Sequence, residues 1–281
     1  MNNFTQRLDN IVKKNNSCVC VGLDSNFERI PLFLKKNKTK SEAILYFNQK
    51  IIDATHDLVC AYKPNIAFYE AEGIEGIKAL KKTVSYIKKK HPEILIIGDA
   101  KRADIGSTNL GYVKAIFDYF NFDALTVHPY LGQEALQPFL ERKEKGVFIL
   151  CRTSNPGAGE FQDLIINHSK LGKIPLYKVV AHQVVKFWNK NKNCVLVVGA
   201  TYPKELAEIR KIAGDMPFLI PGIGAQGGDV KKTVRAGKNR FGKGIIINSS
   251  RSIIFASPEK DFAQKAAEKT KELRNNINRF L

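Results

Sequence analysis

Ile94-Leu-Ile-Ile-Gly-Asp99 is an unbroken apolar run that ends on a carboxylate. Continuous apolar character, rather than strict alternation, marks a strand buried on both faces in a parallel sheet. Seven other runs have the same build. They are Cys18-Val-Cys-Val-Gly-Leu-Asp24, Leu58-Val-Cys-Ala-Tyr-Lys63, Ala124-Leu-Thr-Val-His128, Gly146-Val-Phe-Ile-Leu-Cys151, Cys194-Val-Leu-Val-Val-Gly199, Pro217-Phe-Leu-Ile-Pro221 and Gly244-Ile-Ile-Ile-Asn248. Helical spacing fills the intervals: residues 41–54 place Ala43, Ile44, Phe47, Ile51 and Ile52 on one face, and 73–90, 108–120 and 203–213 repeat the pattern. Ser257-Pro258-Glu259 reads as the capped start of a last helix, with proline at its first position. Eight such strands alternating with helices predict an α/β fold, a closed (β/α)8 TIM barrel forming a single domain over 1–281. The longest irregular stretch, 156–175, is expected to be a large loop after the fifth strand.

Composition narrows the class. The chain has 281 residues, 44% of them hydrophobic, which suits a globular core and not a disordered chain. No apolar run approaches the roughly 20 residues of a membrane span, and Met1–Asp9 lacks the apolar centre of a secretory leader. Cys18, Cys20, Cys60, Cys151 and Cys194 are odd in number and lie in apolar runs, as expected of reduced, buried thiols in a cytoplasmic protein. The five histidines show no metal-ligand spacing with each other or with the cysteines. The abnormal number is the charge: 45 Lys+Arg against 27 Asp+Glu give +18. The lysine clusters at 13–14, 35–36, 81–82, 88–90 and 231–232 are spread over separate helices and loops, and few aromatics interleave with them in a nucleic-acid-binding pattern. They read as solvated barrel exterior and not as a nucleic-acid surface.

Barrel chemistry sits at the C-terminal ends of the strands. Those ends carry Asp24, Lys63, Asp99, Lys101, His128, Ser154 and the Gly222 region. An ionisable group closing an apolar strand is costly unless it faces a polar site. The densest segment is Asp99-Ala-Lys101-Arg-Ala-Asp104-Ile-Gly-Ser-Thr108. Residues two apart on a strand face the same way, so Asp99 and Lys101 point together into the mouth, with Asp104 in the loop above. Taken alone, D-x-K-x-x-D also describes a salt-bridged strand end leading into a helix capped near Ser107 or Thr108.

From about Cys20 to Ile254 the chain resembles the orotidine 5′-monophosphate decarboxylases, which make UMP in de novo pyrimidine synthesis. The resemblance rests on Val21-Gly-Leu-Asp24, Tyr62-Lys-Pro-Asn65, the 99–108 segment, Thr153-Ser-Asn-Pro-Gly157, Pro221-Gly-Ile-Gly-Ala-Gln226 and Asn248-Ser-Ser-Arg251. Thr-Ser-Asn-Pro and the long loop after it are similar to the longer bacterial subgroup. The resemblance implies that Lys101 delivers a proton to C6 of the pyrimidine, that Asp99 lies beside the substrate carboxylate, and that Lys63 holds Asp99 and the ribose. It implies that Asp104 and Thr108 reach into a partner subunit's site, making the unit a homodimer with shared active sites. Asp24 would bind the ribose hydroxyls and Ser154 the pyrimidine amide edge. Gln226 would bridge base and phosphate, with Arg251 and the backbone amides near Gly224 and Ser250 on the phosphate. No metal or other cofactor is implied, and the partner is a small nucleotide, with no nucleic acid or membrane.

Two rival readings bear on the same residues. Gly222-Ile-Gly224-Ala-Gln-Gly227 matches the dinucleotide fingerprint G-x-G-x-x-G, but it follows the seventh strand, and no acidic residue closes the next one. A phosphate grip after strands seven and eight suits a barrel better. A magnesium-dependent decarboxylase of keto-sugar phosphates would share D-x-K-x-x-D but place a glutamate where Lys63 stands.

Overall fold

The computed structural model describes residues 3–224 and 227–281. Eight parallel strands close a barrel in the order β1-β10-β9-β8-β5-β4-β3-β2. They are β1 (Val19–Gly22), β2 (Ala61–Lys63), β3 (Leu95–Arg102), β4 (Ala124–Val127), β5 (Gly146–Arg152), β8 (Cys194–Val198), β9 (Phe218–Pro221) and β10 (Ile245–Ser249). Each coincides with one of the eight apolar runs, and the fold is the (β/α)8 barrel that those runs predict. Their side chains are almost wholly buried because the barrel interior takes one face and the surrounding helices take the other. Closure is made by β1 against β10, with Val19 opposite Ile247 and Val21 opposite Ser249.

The helices at Gly73–Lys90 and Pro203–Ala213 span the predicted residues, and Lys40–Thr55 exceeds the predicted one by a residue at each end. Thr39 caps Lys40–Thr55, exchanging hydrogen bonds with Glu42 in a capping box. Three expectations change. The predicted helix over 108–120 starts earlier, at Gly106, and after Val113 widens into a π-helical segment, Lys114–Tyr119. Ser257 does not cap the last helix, because its hydroxyl accepts from Glu259 N (3.1 Å) and bonds Asp261 Oδ1 (2.5 Å) in a preceding turn, and the helix runs Phe262–Asn278. The 156–175 stretch lies after β5 as expected, but it contains a short helix, Gly159–Gln162, and an antiparallel hairpin, β6 (Ile165–His168) with β7 (Gly172–Pro175).

All five cysteines are free and buried. Burial pushes the thiols of Cys18, Cys20, Cys151 and Cys194 up to about 12, so they stay protonated and act as small apolar side chains. Among the described residues, no helix is long and apolar enough to cross a membrane.

Candidate active site

At the C-terminal mouth of the barrel lies a cavity of about 460 Å³. Its charged wall is built by adjacent strands. Lys63 ends β2 and is 4% exposed, yet it is an ammonium with one carboxylate in contact: its Nζ donates to Asp99 Oδ2 at 2.7 Å. Burial alone favours the neutral amine, but Asp99 and Asp24 outweigh it and hold the Lys63 pKa above the ordinary lysine value. Asp99 shows the mirror balance. Burial raises its pKa, and the charges of Lys63 and Lys101 override this, leaving the carboxyl well below the usual range. Its Oδ1 accepts from Lys101 Nζ at 2.6 Å and from the Thr126 hydroxyl at 2.8 Å.

Lys101 differs from Lys63 in exposure and backbone. Half of its side chain is open to the cavity, and its φ is +48°, in the left-handed region that non-glycine residues seldom adopt. Asp24 and Asn248 also line the cavity, and Oδ1 of each is buried without a protein partner. Across the ring from β3, the floor is apolar: Leu219 of β9 lies with Leu150 of β5 and Val197 of β8. One side of the cavity is therefore arranged for charge and the other for an uncharged group.

The remaining walls come from two loop systems. After β5, Ser154 and Asn155 line the cavity, and Gln162 folds back over them, accepting from Thr153 N at 2.8 Å and donating to Thr153 Oγ1 at 2.9 Å. Arg152, buried at 2% exposure, stacks on Tyr202 at 3.8 Å and grips Asp163 at 2.8 and 2.9 Å, pinning the start of that loop. Ser249 at the end of β10 and, after β9 and β10, Gly222, Ile223, Ser250, Arg251 and Ser252 form the opposite rim. Gly224 sits beside it with φ +89°, and a Cβ there would stand 2.8 Å from Ser252 Oγ. Gly22 allows β1 to approach Ser250: a Cβ at 22 would lie 2.6 Å from the Ser250 Cβ.

Of the residues singled out from the sequence, Asp24, Lys63, Asp99, Lys101, Ser154, Ser250 and Arg251 line one cavity. Asp104 and Thr108 do not line it; Asp104 accepts from Ile105 N, and Thr108 is exposed. Gln226 lies outside the described residues. Sequence reasoning missed Thr126, Leu150, Val197, Leu219, Asn248 and Gln162. Most are inward-facing strand residues below the polar strand ends, so following the two-residue pleat one step down each strand points to them. Gln162 gave no such signal, since it arrives from a long loop. Arg102 turns away from the cavity and pairs with Glu70. Among the described residues, no group of three or more His, Cys, Asp or Glu side chains is placed to hold a metal ion.

The model of the orotidine 5′-phosphate decarboxylase / HUMPS family matches residues 17–266. The orotidine 5′-phosphate decarboxylase of Cellvibrio japonicus is 50% identical over 275 residues, covering 98% of both chains. That of a Janthinobacterium species is 46% identical over 278 residues, covering 99% of both. Among solved structures, the Leishmania donovani OMP decarboxylase superposes with a TM-score of 0.81 at 36% identity, over 98% of this chain and 100% of that one. Fold, cavity and kinship agree: the chain belongs to the orotidine 5′-phosphate decarboxylase family and is a carboxy-lyase of pyrimidine synthesis.

Proposed function

We propose that Lys101 carries the chemical step by protonating C6 of the pyrimidine as CO2 leaves, in a reaction that draws on no metal or organic cofactor. Loss of CO2 from C6 leaves an electron pair in the ring plane, where the π system cannot absorb it. A fixed cation at C6 stabilises that charge directly, and a preorganised one needs no reorganisation at the moment of reaction. The observation that carries the reading is the Lys63–Asp99–Lys101 array, in which the inner lysine fixes the aspartate and the outer one reaches the cavity. The Asp99 charge also repels a substrate carboxylate, by about 4 kcal/mol at 4 Å with an effective dielectric near 20. Enzymatic accelerations need about 8–23 kcal/mol, so repulsion is the smaller part. The apolar floor at Leu150, Val197 and Leu219 suits the neutral CO2.

Binding energy from the far end of the nucleotide supports the step. Asp24 and Lys63 hold the ribose, Ser154 meets the base, and Gln226 bridges base and phosphate. Arg251 and the amides of Gly224 and Ser250 hold the phosphate. Asp104 and Thr108 stay out of their own chain's cavity, as residues serving a partner's site must. The working unit is then a cytoplasmic homodimer of single-domain barrels sharing active sites.

The test is the fall in orotidine 5′-monophosphate absorbance with purified protein, with and without EDTA. Turnover unaffected by EDTA is expected. Turnover abolished by EDTA revives the magnesium-dependent reading. For the shared site, Asp104→Ala mixed with Lys101→Ala should regain activity as subunits exchange. Exchange without recovery removes Asp104 from the partner's site.

A further inference from the structure

The strand that carries Asp99 and Lys101 is not regular. Between its pairings Gly98–Leu125 and Arg102–Val127, β3 advances four residues while β4 advances two. Asp99, Ala100 and Lys101 form the resulting bulge, and Thr126 is the one β4 residue that faces it. A bulge of this kind re-aims side chains and leaves backbone groups without ladder partners. Here the unpartnered donor is Lys101 N–H, on a residue whose φ of +48° is itself unfavourable for a side chain of this size. Strain of this order persists only where the surroundings over-determine it.

Thr126 supplies that constraint. It is 1% exposed. Its Oγ1 accepts from Lys101 N at 3.0 Å and donates to Asp99 Oδ1 at 2.8 Å. The same Asp99 oxygen receives Lys101 Nζ at 2.6 Å. One hydroxyl thus closes a ring with both ends of Lys101, its amide and, through the carboxylate, its ammonium. A hydroxyl can accept and donate at once, which valine, of similar shape, cannot do. We infer that Thr126 is a positioning residue for the decarboxylation: it holds the bulged, left-handed backbone of Lys101 so that Nζ and the Asp99 carboxylate present a fixed geometry to the substrate.

This inference rests on Lys101 as the proton donor. The experiment compares T126V and T126S with the wild type and with K101A. It uses steady-state kinetics per nucleotide-binding site, UMP affinity by calorimetry, and thermal unfolding. T126V should lower kcat about 10- to 100-fold, since small misplacements of reacting groups cost this much, while KM and the UMP Kd stay within about threefold. T126S, which keeps the hydroxyl, should stay within about threefold of wild-type kcat. A purely structural Thr126 would lower Tm and the count of competent sites but leave kcat per site unchanged. The inference is overturned if T126V keeps wild-type kcat, if T126S is as impaired as T126V, or if KM and UMP affinity worsen in step with kcat. Should T126V not fold, T126C, which keeps the volume and weakens the hydrogen bonds, is read by the same criteria. Wild-type kcat in K101A would instead remove the proton-donor reading on which the inference stands.

Discussion

Two carboxylates in this barrel are buried and clasped by two cations each, and they sit at opposite ends. Asp123 enters β4 at the N-terminal face and is 1% exposed. Arg7 Nη2 reaches its Oδ1 at 2.6 Å, Lys88 Nζ bonds both oxygens at 2.6 Å, and Ile96 N donates to Oδ2 at 2.9 Å. These contacts tie the helix Phe4–Asn15 and the helix Gly73–Lys90 to neighbouring strands β3 and β4. Asp99 leaves the regular part of β3 at the C-terminal face with a similar set of donors. The difference lies in the partners. Arg7 and Lys88 reach inward from regular helical backbone and do not line the cavity, whereas Lys101 stands on strained backbone at the cavity wall. Burial and ion pairing are common to both ends; a half-open cation on a bulge is found at one. An ion cluster alone is thus a poor mark of function, and the local backbone is a better one.

The widest separation between the two ends comes from removing one cation at each. Lys101→Ala should lower kcat by about 10³-fold or more, the scale of losing a general acid or a charge-stabilising group. UMP affinity should change only a few-fold. Lys88→Ala should leave kcat per folded site unchanged and register in denaturant unfolding. A large kcat loss in the Lys88 variant would mean that the N-terminal cluster reaches the chemistry.

Neutralising the carboxylates tests the shared part of the comparison. Asp99→Asn leaves the buried Lys63 ammonium without its contact partner, a loss of about 3–5 kcal/mol of stability, together with at least about 10²-fold in kcat. Asp123→Asn should fall at the low end of the same stability range, because Arg7 and Lys88 can turn to water, and should keep kcat. The sign of the pH dependence follows from Asp99. Its folded pKa lies below the unfolded value of about 3.9. Its contribution is therefore complete above about pH 5 and is lost as the pH falls toward the lower folded value. Acid titration of unfolding free energy should show a shallower loss below pH 5 in Asp99→Asn than in the wild type. Parallel curves would mean that the carboxylate is not held ionised by its neighbours.

The same contrast explains what was legible in the sequence. Strands buried on both faces must be written as apolar runs, so all eight barrel strands were visible, and a charge ending such a run stands out. Asp24, Lys63 and Asp99 each close a run in this way. Thr126 lies within a run, Asn248 closes one without a charge, and Leu150, Val197 and Leu219 are apolar among apolar residues, so nothing in composition separates cavity floor from core. The bulge at Asp99–Lys101 has only a weak local signature: Gly98 stands at its edge, but neither Gly nor Pro lies within it. Lys88 shows the converse error. In sequence it belongs to a Lys88-Lys89-Lys90 run that reads as solvated surface, yet its ammonium is the clamp on Asp123, because a long side chain carries its charge back to a buried partner from the edge of a helix.

The smallest expected effect lies where the charged wall meets the opposite rim. Gly22 ends β1 two residues before Asp24, and its missing side chain lets Ser250 pack against it, with Ser250 Oγ donating to Gly22 O at 3.1 Å. A Cβ at 22 would stand 2.6 Å from Ser250 Cβ and 3.4 Å from Asp24 Oδ1, so Gly22→Ala must push the β10 loop outward before it disturbs Asp24. Overpacking of this kind costs about 1–3 kcal/mol. Because Ser250 adjoins Arg251 on the rim and bonds Gly22, while the Lys101 ammonium bonds Asp99, the functional cost should appear as a higher KM with kcat nearly unchanged, the mark of lost uniform binding. A fall in kcat at constant KM would show instead that the β1 end is coupled to the Asp99–Lys101 bulge, and that the two walls of the cavity act as one unit.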